Sequence, residues 1–136
     1  MKYKLTDNKK EIEGLTFYQI QALKDFGNVK KGDLGGWIER ENNLSQEGNC
    51  WVYGNAWVSD DARVSDNARV SDNARVSDNA RVYGDARVYG NVQVYGNLKL
   101  TKGYFFGYKE TDEELSFIPL NDGYQLIAKG DVKFSN

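Results

Sequence analysis

The sequence predicts an all-β fold: a parallel β-helix of hexapeptide repeats with antiparallel caps at its N-terminal and C-terminal ends. Three observations predict it. Valine recurs every six residues from Val52 to Val94, with Leu100 completing the series. A small or apolar residue stands two places before each, from Cys50 through six alanines to Val92 and Leu98. Two further positions of every unit from Tyr53 to Asn97 are drawn from Gly, Asp and Asn, which tolerate left-handed backbone angles and tight corners.

The chain is read as a single domain of three segments: an N-terminal cap over 1–33, coils over 34–100 and a C-terminal meander over 101–136. In the cap, Tyr3-Lys4-Leu5 and Thr16–Leu23 alternate as short strands do, with a turn expected at Thr6-Asp7-Asn8. A solenoid end exposes unpaired strand edges and an open core, so a capping element is needed there.

Within each hexad, Ala and Val point to one side of a short strand, and Arg and Ser or Tyr to the other. Three sides of six residues close a coil of 18, and coils stack at roughly 4.8 Å. Adding 18 gives the inward ladders Val52/Val70/Val88, Val58/Val76/Val94 and Val64/Val82/Leu100. Ile38 and Leu44 extend the alanine column backwards by sixes, which places an irregular first coil at about 34–51. Cys50 lies in that column and reads as a buried, inert small hydrophobe. Apolar spacings of two and four do not make a helical stripe.

Beyond Leu100 the repeat stops. Tyr104–Tyr108, Leu115–Leu120 and Tyr124–Ala128 read as three strands, with a charged turn over 109–114 and a hairpin signal at Asn121-Asp122-Gly123. Pro119 marks the middle strand as an edge or bulged one.

The hexad resembles that of left-handed β-helix proteins, whose best-studied members are trimeric acyltransferases. The runs Gly32–Glu39 and Asn43–Val52 are similar to uncharacterised phage and prophage members. This resemblance covers about residues 1–100, and it implies the left-handed coil, which spacing does not establish. It also implies a homotrimer.

Composition narrows the functional classes. Eighteen basic residues face 20 acidic ones, evenly along the chain, which argues against nucleic-acid backbone binding as the main activity. No run is long enough for a membrane span, and the N-terminus lacks an apolar leader, so a cytoplasmic protein in the host cell with no membrane partner is expected. One cysteine excludes an internal disulfide and fits a reducing compartment. No histidine is present. The acyltransferases that the repeat resembles use one as general base, so no catalytic residue, cofactor or metal is expected. The aspartates Asp60, Asp66, Asp72 and Asp78 lack the spacing of calcium-binding β-rolls and read as corner-forming and arginine-pairing.

The outward residue before each inward valine gives three columns: Trp51/Arg69/Arg87, Trp57/Arg75/Gln93 and Arg63/Arg81/Lys99. Arginine over tryptophan adds cation–π attraction in the first two. The third is wholly cationic, so Arg63, Arg81 and Lys99 are candidate anion ligands, against the alternative of a solvated face laced by Arg–Asp pairs. Trp51, Trp57 and the level Tyr83/Tyr89/Tyr95 are candidate oligomer contacts. In the tail, the aromatic run Tyr104, Phe105, Phe106 and Tyr108 beside Glu110, Asp112, Glu113 and Glu114 has the anchor-and-rim character of a partner-binding surface.

The expected function is that of a non-enzymatic phage accessory protein that binds and inhibits a host protein, such as a defence or CRISPR factor. Two alternatives stay open: a sponge holding an anionic, nucleotide-like small molecule between subunits, and a structural virion component.

Overall fold

The computed structural model describes residues 1–107 and, as backbone, the later strands at 116–120, 123–127 and 132–134. Two long strands come first, β1 (Tyr3–Ile12) and β2 (Leu15–Ala22), then β3 (Leu34–Ile38) and a single 3-10 turn, Glu41–Asn43. The hexads follow as β4 (Trp51–Val52), β5 (Trp57–Val58), β6 (Arg63–Val64), β7 (Arg69–Val70), β8 (Arg75–Val76), β9 (Arg81–Val82), β10 (Arg87–Gly90), β11 (Val92–Val94) and β12 (Lys99–Leu100). The end of the chain adds β13 (Tyr104–Gly107), β14 (Ser116–Leu120), β15 (Gly123–Ile127) and β16 (Val132–Phe134).

These strands form three faces of a parallel β-solenoid. One face runs β1-β2-β3-β5-β8-β11-β16, the second β14-β15-β13-β10-β7-β4, and the third β12-β9-β6. In the central coils Val52 pairs with Val70 and Val70 with Val88; Val58 pairs with Val76 and Val76 with Val94; Val64 pairs with Val82 and Val82 with Leu100. The predicted ladders of 18 are therefore the observed ones. Every member is buried, as are Ala56, Ala62, Ala68, Ala74, Ala80 and Ala86, so the prism interior is a dry valine and alanine core.

The corners explain the alternation of Gly and Asp. Asp60, Asp66, Asp72 and Asp78 all adopt φ between 56° and 60°, the left-handed region. Aspartate tolerates it because its short carboxylate bonds locally. Here each carboxylate accepts the N–H of the corner residue one coil on: Asp60 from Asp78 at 3.1 Å, and Asp66, Asp72 and Asp78 from Gly84, Gly90 and Gly96 at 3.0 Å. Their corner role is as expected; their arginine-pairing role is not, because these carboxylates are committed to backbone.

The first coil departs from the expected register. Trp37 and Ile38 pair with Trp57 and Val58, and Leu44 bridges Val64, an offset of 20 residues. Ile38 and Leu44 thus stand in the valine columns and not in the alanine column. Two extra residues are absorbed between Leu44 and Gly48, because Asn49 and Cys50 both donate to the Asp66 carbonyl, back in the 18-residue register.

That swollen corner is tied down by the N-terminus. The Gln46 side chain accepts the N–H groups of Lys2 (2.8 Å) and Tyr3 (3.1 Å) and donates to the Tyr3 carbonyl (3.2 Å), so one amide imitates a strand neighbour. The buried Lys2 ammonium donates to the carbonyls of Cys50 (2.9 Å), Gly48 (3.3 Å) and Glu47 (3.4 Å), lies 3.4 Å from the Cys50 sulfur and sits over the Phe26 ring. Burial pulls the Lys2 pKa down and pushes the Cys50 thiol up. Cys50 is fully buried, in line with its reading as an inert core residue.

The N-terminal cap is antiparallel as predicted, but its turn lies elsewhere. Glu13 and Gly14, both at positive φ, close the β1–β2 hairpin. Thr6-Asp7-Asn8 instead forms a register shift within β1, held by Thr6 Oγ1 donating to the Gln19 carbonyl at 2.8 Å and Asn8 Nδ2 donating to Gln19 Oε1 at 2.9 Å. Their local side-chain bonding made a bulge where a turn was expected. β3 then switches the sheet from antiparallel pairing with β2 to parallel pairing with β5. A Cβ at Gly35 would stand 2.7 Å from the Trp51 ring and one at Gly36 2.6 Å from Val52 Cγ1, so this splice needs both glycines to reach the core.

The C-terminal segment is only partly the expected meander. β13 pairs parallel with β10, Phe105 opposite Val88, so the coil continues past Leu100 with an offset of 17. β14 and β15 are antiparallel, as the Asn121-Asp122-Gly123 signal implied, and β14 with Pro119 lies at the sheet edge. β15 and β16 pair parallel with β13 and β11.

The corner geometry predicts a contrast between two glycines. At Gly48 (φ 70°) a Cβ would press into the Asp66 carbonyl oxygen, whereas at Gly54 (φ 60°) the nearest atom is 3.8 Å away. Gly54→Ala is expected to cost about 1 kcal/mol from backbone strain alone, and Gly48→Ala about 3 kcal/mol. Urea unfolding of the two variants checks this, and equal midpoints would refute it.

Candidate functional site

The outward columns become physical stripes once the coils stack. Arg63 faces Arg81, and Arg81 faces Lys99, along the third face. All three are exposed. They border a cleft of about 660 Å³ whose other walls are Tyr83, Ser65, Leu44, Gln46 and the 3-10 turn with Glu41.

No carboxylate lies within 4 Å of these three cations among the described residues. The ion pairs there are Arg40 with Glu39 (3.2 Å) and with Asp61 (3.6 Å). The corners account for most of the missing partners: the Asp60, Asp66, Asp72 and Asp78 carboxylates bond to backbone one coil away, and Asp61 pairs with Arg40. Like charges one rung apart repel by about 1 kcal/mol or less at such exposure, and a polyvalent anion would relieve that. Among the described residues, Glu41 is the one acidic residue bordering the cleft.

The other two columns are discharged differently. Arg75 lies over the Trp57 ring at 5.4 Å, as expected for the second column. In the first, Trp51 is enclosed by Tyr3 (6.0 Å, edge-on) and Phe26 (5.2 Å), and the cation–π contact falls instead between Arg87 and Tyr104 at 5.5 Å. The expected oligomer contacts are corrected in part. Trp51 is 1% exposed and belongs to the cap interior, whereas Trp57 is 9% exposed, packed on Phe17 at 4.9 Å and bordering a surface cleft with Lys10 and Arg75. The sequence could not show this, because the cap that covers them carries no repeat. Tyr83, Tyr89 and Tyr95 are half-buried, one on each face, and Tyr89 stacks on Phe106 at 4.9 Å with planes 10° apart.

Of the expected partner-binding residues, Phe105 is buried as a rung of the core, a correction that follows from its pairing with Val88. Tyr104 and Phe106 are half-exposed on the outer side of the same strand. Tyr108, Glu110, Asp112, Glu113 and Glu114 lie outside the described residues. No helix among the described residues is long and apolar enough to cross a membrane.

Comparison with known proteins agrees with the architecture. A family model described as the YdcK Beta solenoid repeat matches residues 62–78, 68–82, 74–90 and 80–96. The Uncharacterized acetyltransferase YdcK of Escherichia coli (strain K12) is 40% identical over 58 residues, which is 37% of this chain and 18% of that protein. The chain therefore aligns with less than a fifth of that relative's length.

If the third column is an uncompensated stripe, Arg81→Gln removes its central charge and both repulsions. The expected result is a variant at least as stable as the parent at low salt, with a melting temperature that responds less to added sodium chloride. Thermal melts between low and 0.5 M salt read this directly; a destabilised Arg81→Gln with unchanged salt response would show that Arg81 is neutralised within the chain.

Proposed function

We propose that this chain is a non-catalytic binding protein that takes a multivalent anion on the Arg63/Arg81/Lys99 stripe. The observation that supports the reading most is the exposure of three stacked cations with no carboxylate within 4 Å among the described residues. Tyr83 and Ser65 supply hydroxyl donors to the same cleft. The biological setting that the phage resemblance suggests is an accessory protein that sequesters a host's anionic small molecule. A threefold assembly of prisms would deepen the cleft by placing a second wall across it.

Acetyl transfer enters through the printed name of the relative. Against it stands the composition: the chain has no histidine to take the proton of an acceptor amine or hydroxyl. Acetyl-coenzyme A turnover with a panel of amine and hydroxyl acceptors is expected to stay at the no-protein blank, and turnover above it would overturn the non-catalytic reading.

A second reading, inhibition of a host protein through the tail, is favoured by one observation: Tyr104 and Phe106 stay half-exposed at the start of the C-terminal segment. Charge reversal of Glu113 and Glu114 separates the two. Loss of a co-purifying host protein in that variant would support the tail, whereas loss in Arg63→Glu/Arg81→Glu would place the partner on the stripe.

The direct test of the stripe is a thermal shift with tripolyphosphate, orthophosphate and chloride at matched ionic strength. Tripolyphosphate at ten times its Kd is expected to stabilise the parent by about 1.4 kcal/mol, with no effect on Arg63→Glu/Arg81→Glu. Equal shifts from all three salts would mean screening and no site.

A further inference from the structure

A different feature occupies the second face, away from the cationic stripe. The outward column next to Arg69 and Arg87 contains Tyr53, Ser71 and Tyr89, one per coil in the 18-residue register. Two tyrosines are thus separated by a single small residue. With coils about 4.8 Å apart, the backbone positions of Tyr53 and Tyr89 are two rungs, or roughly 10 Å, from each other, and both side chains border one pocket. A flat ring between two others needs about 7 Å from outer plane to outer plane, so the space above Ser71 accommodates one planar aromatic system with room to tilt.

The far side of Tyr89 is braced by Phe106, stacked at 4.9 Å with planes 10° apart. Tyr89 and Phe106 stand one rung apart in register, and Tyr89 borders the same pocket as Ser71 and Tyr53. Arg69 and Arg87 project from the same strands two residues away, about 7 Å along the strand. Arg87 is itself held over Tyr104. Arg69 makes no ion pair among the described residues. Asn28 of the cap closes the end of the resulting pocket, of about 430 Å³.

We infer that this pocket binds a planar aromatic ring bearing an anionic group, the ring inserted between Tyr53 and Tyr89 above Ser71 and the anion met by Arg69 and Arg87. The site lies on one chain and does not depend on the cationic stripe or on any assembly of subunits. Nucleotides and aromatic carboxylates share this chemistry, and the test distinguishes them.

The experiment is a titration of the full-length, isotope-labelled chain followed by amide NMR, with adenosine 5′-monophosphate, indole-3-carboxylate, adenosine and orthophosphate as probes. At least one of the first two is expected to shift the amides of Ser71, Tyr89 and Arg69, and to bind about tenfold or more tighter than either adenosine or orthophosphate. A response to the monophosphate alone identifies nucleotides as the class, and a response to the carboxylate alone identifies aromatic acids. Ser71→Phe fills the slot with a ring, which the column tolerates at Tyr53 and Tyr89, and is expected to abolish these shifts. Arg69→Gln/Arg87→Gln, which leaves the slot open, is expected to weaken binding about tenfold. Arg63→Glu/Arg81→Glu is expected to leave it unchanged, so failure of the stripe proposal would not touch this one. The inference is overturned if orthophosphate matches the ring-bearing anions, if none of the probes shifts these amides at 10 mM, or if a folded Ser71→Phe binds as the parent does.

Discussion

Everything in this structure follows from the requirement that each coil be hydrogen-bonded by the coils beside it. A two- or three-residue strand cannot bury an apolar face or satisfy its backbone alone, so stacking register is the only source of order. Register also decides what stands above what. The same 18-residue step that lines up Val64 with Val82 lines up Arg63 with Arg81, and the chain cannot have the first without the second. The outward stripes are therefore a consequence of the core, and their chemistry depends on what each position of the hexad holds.

The corners control that chemistry. A left-handed corner accepts Gly or Asp, and the choice of Asp at four successive corners satisfies the N–H of the corner one coil above. A carboxylate spent on backbone is no longer near an arginine head. Net charge over the repeat is balanced, yet the balance is local to different edges: anions at the corners, cations on the flats. Sequence counting sees neutrality where the surface has separated stripes.

The ends show what happens when the period breaks. The first coil is longer by two residues, and the excess is stabilised by a buried ammonium, an amide that mimics a strand and the Tyr3 hydroxyl donating to the Leu44 carbonyl at 2.5 Å. The long β1–β2 hairpin then covers the two tryptophans that would otherwise lie on open faces. At the other end the coil shortens by one residue and goes on, with Phe105 replacing a valine and Phe106 meeting Tyr89. Of the aromatic residues in these irregular coils, Phe105 takes an inward rung opposite Val88, while Trp37 and Phe106 stand at outward positions.

The sequence by itself determined the parallel coil, its three faces and its inward ladders, because a strict period of six leaves one way to put every valine inside. It determined the composition of the outward columns for the same reason. It did not determine the first-coil register: Ile38 and Leu44 keep the spacing of six and differ only in which column they join, and that is set by how many residues the corner at 45–47 absorbs. Nor did it determine that Trp51 and Trp57 are buried, since a non-repeating cap places its side chains by packing and not by period. Only the tertiary structure decided that four corner aspartates turn to the backbone and that, among the described residues, Arg63, Arg81 and Lys99 have no carboxylate within 4 Å, because carboxylates on corners reach the next coil's N–H groups at 3.0–3.1 Å, a charge-assisted bond in fixed geometry that an exposed, flexible arginine does not match.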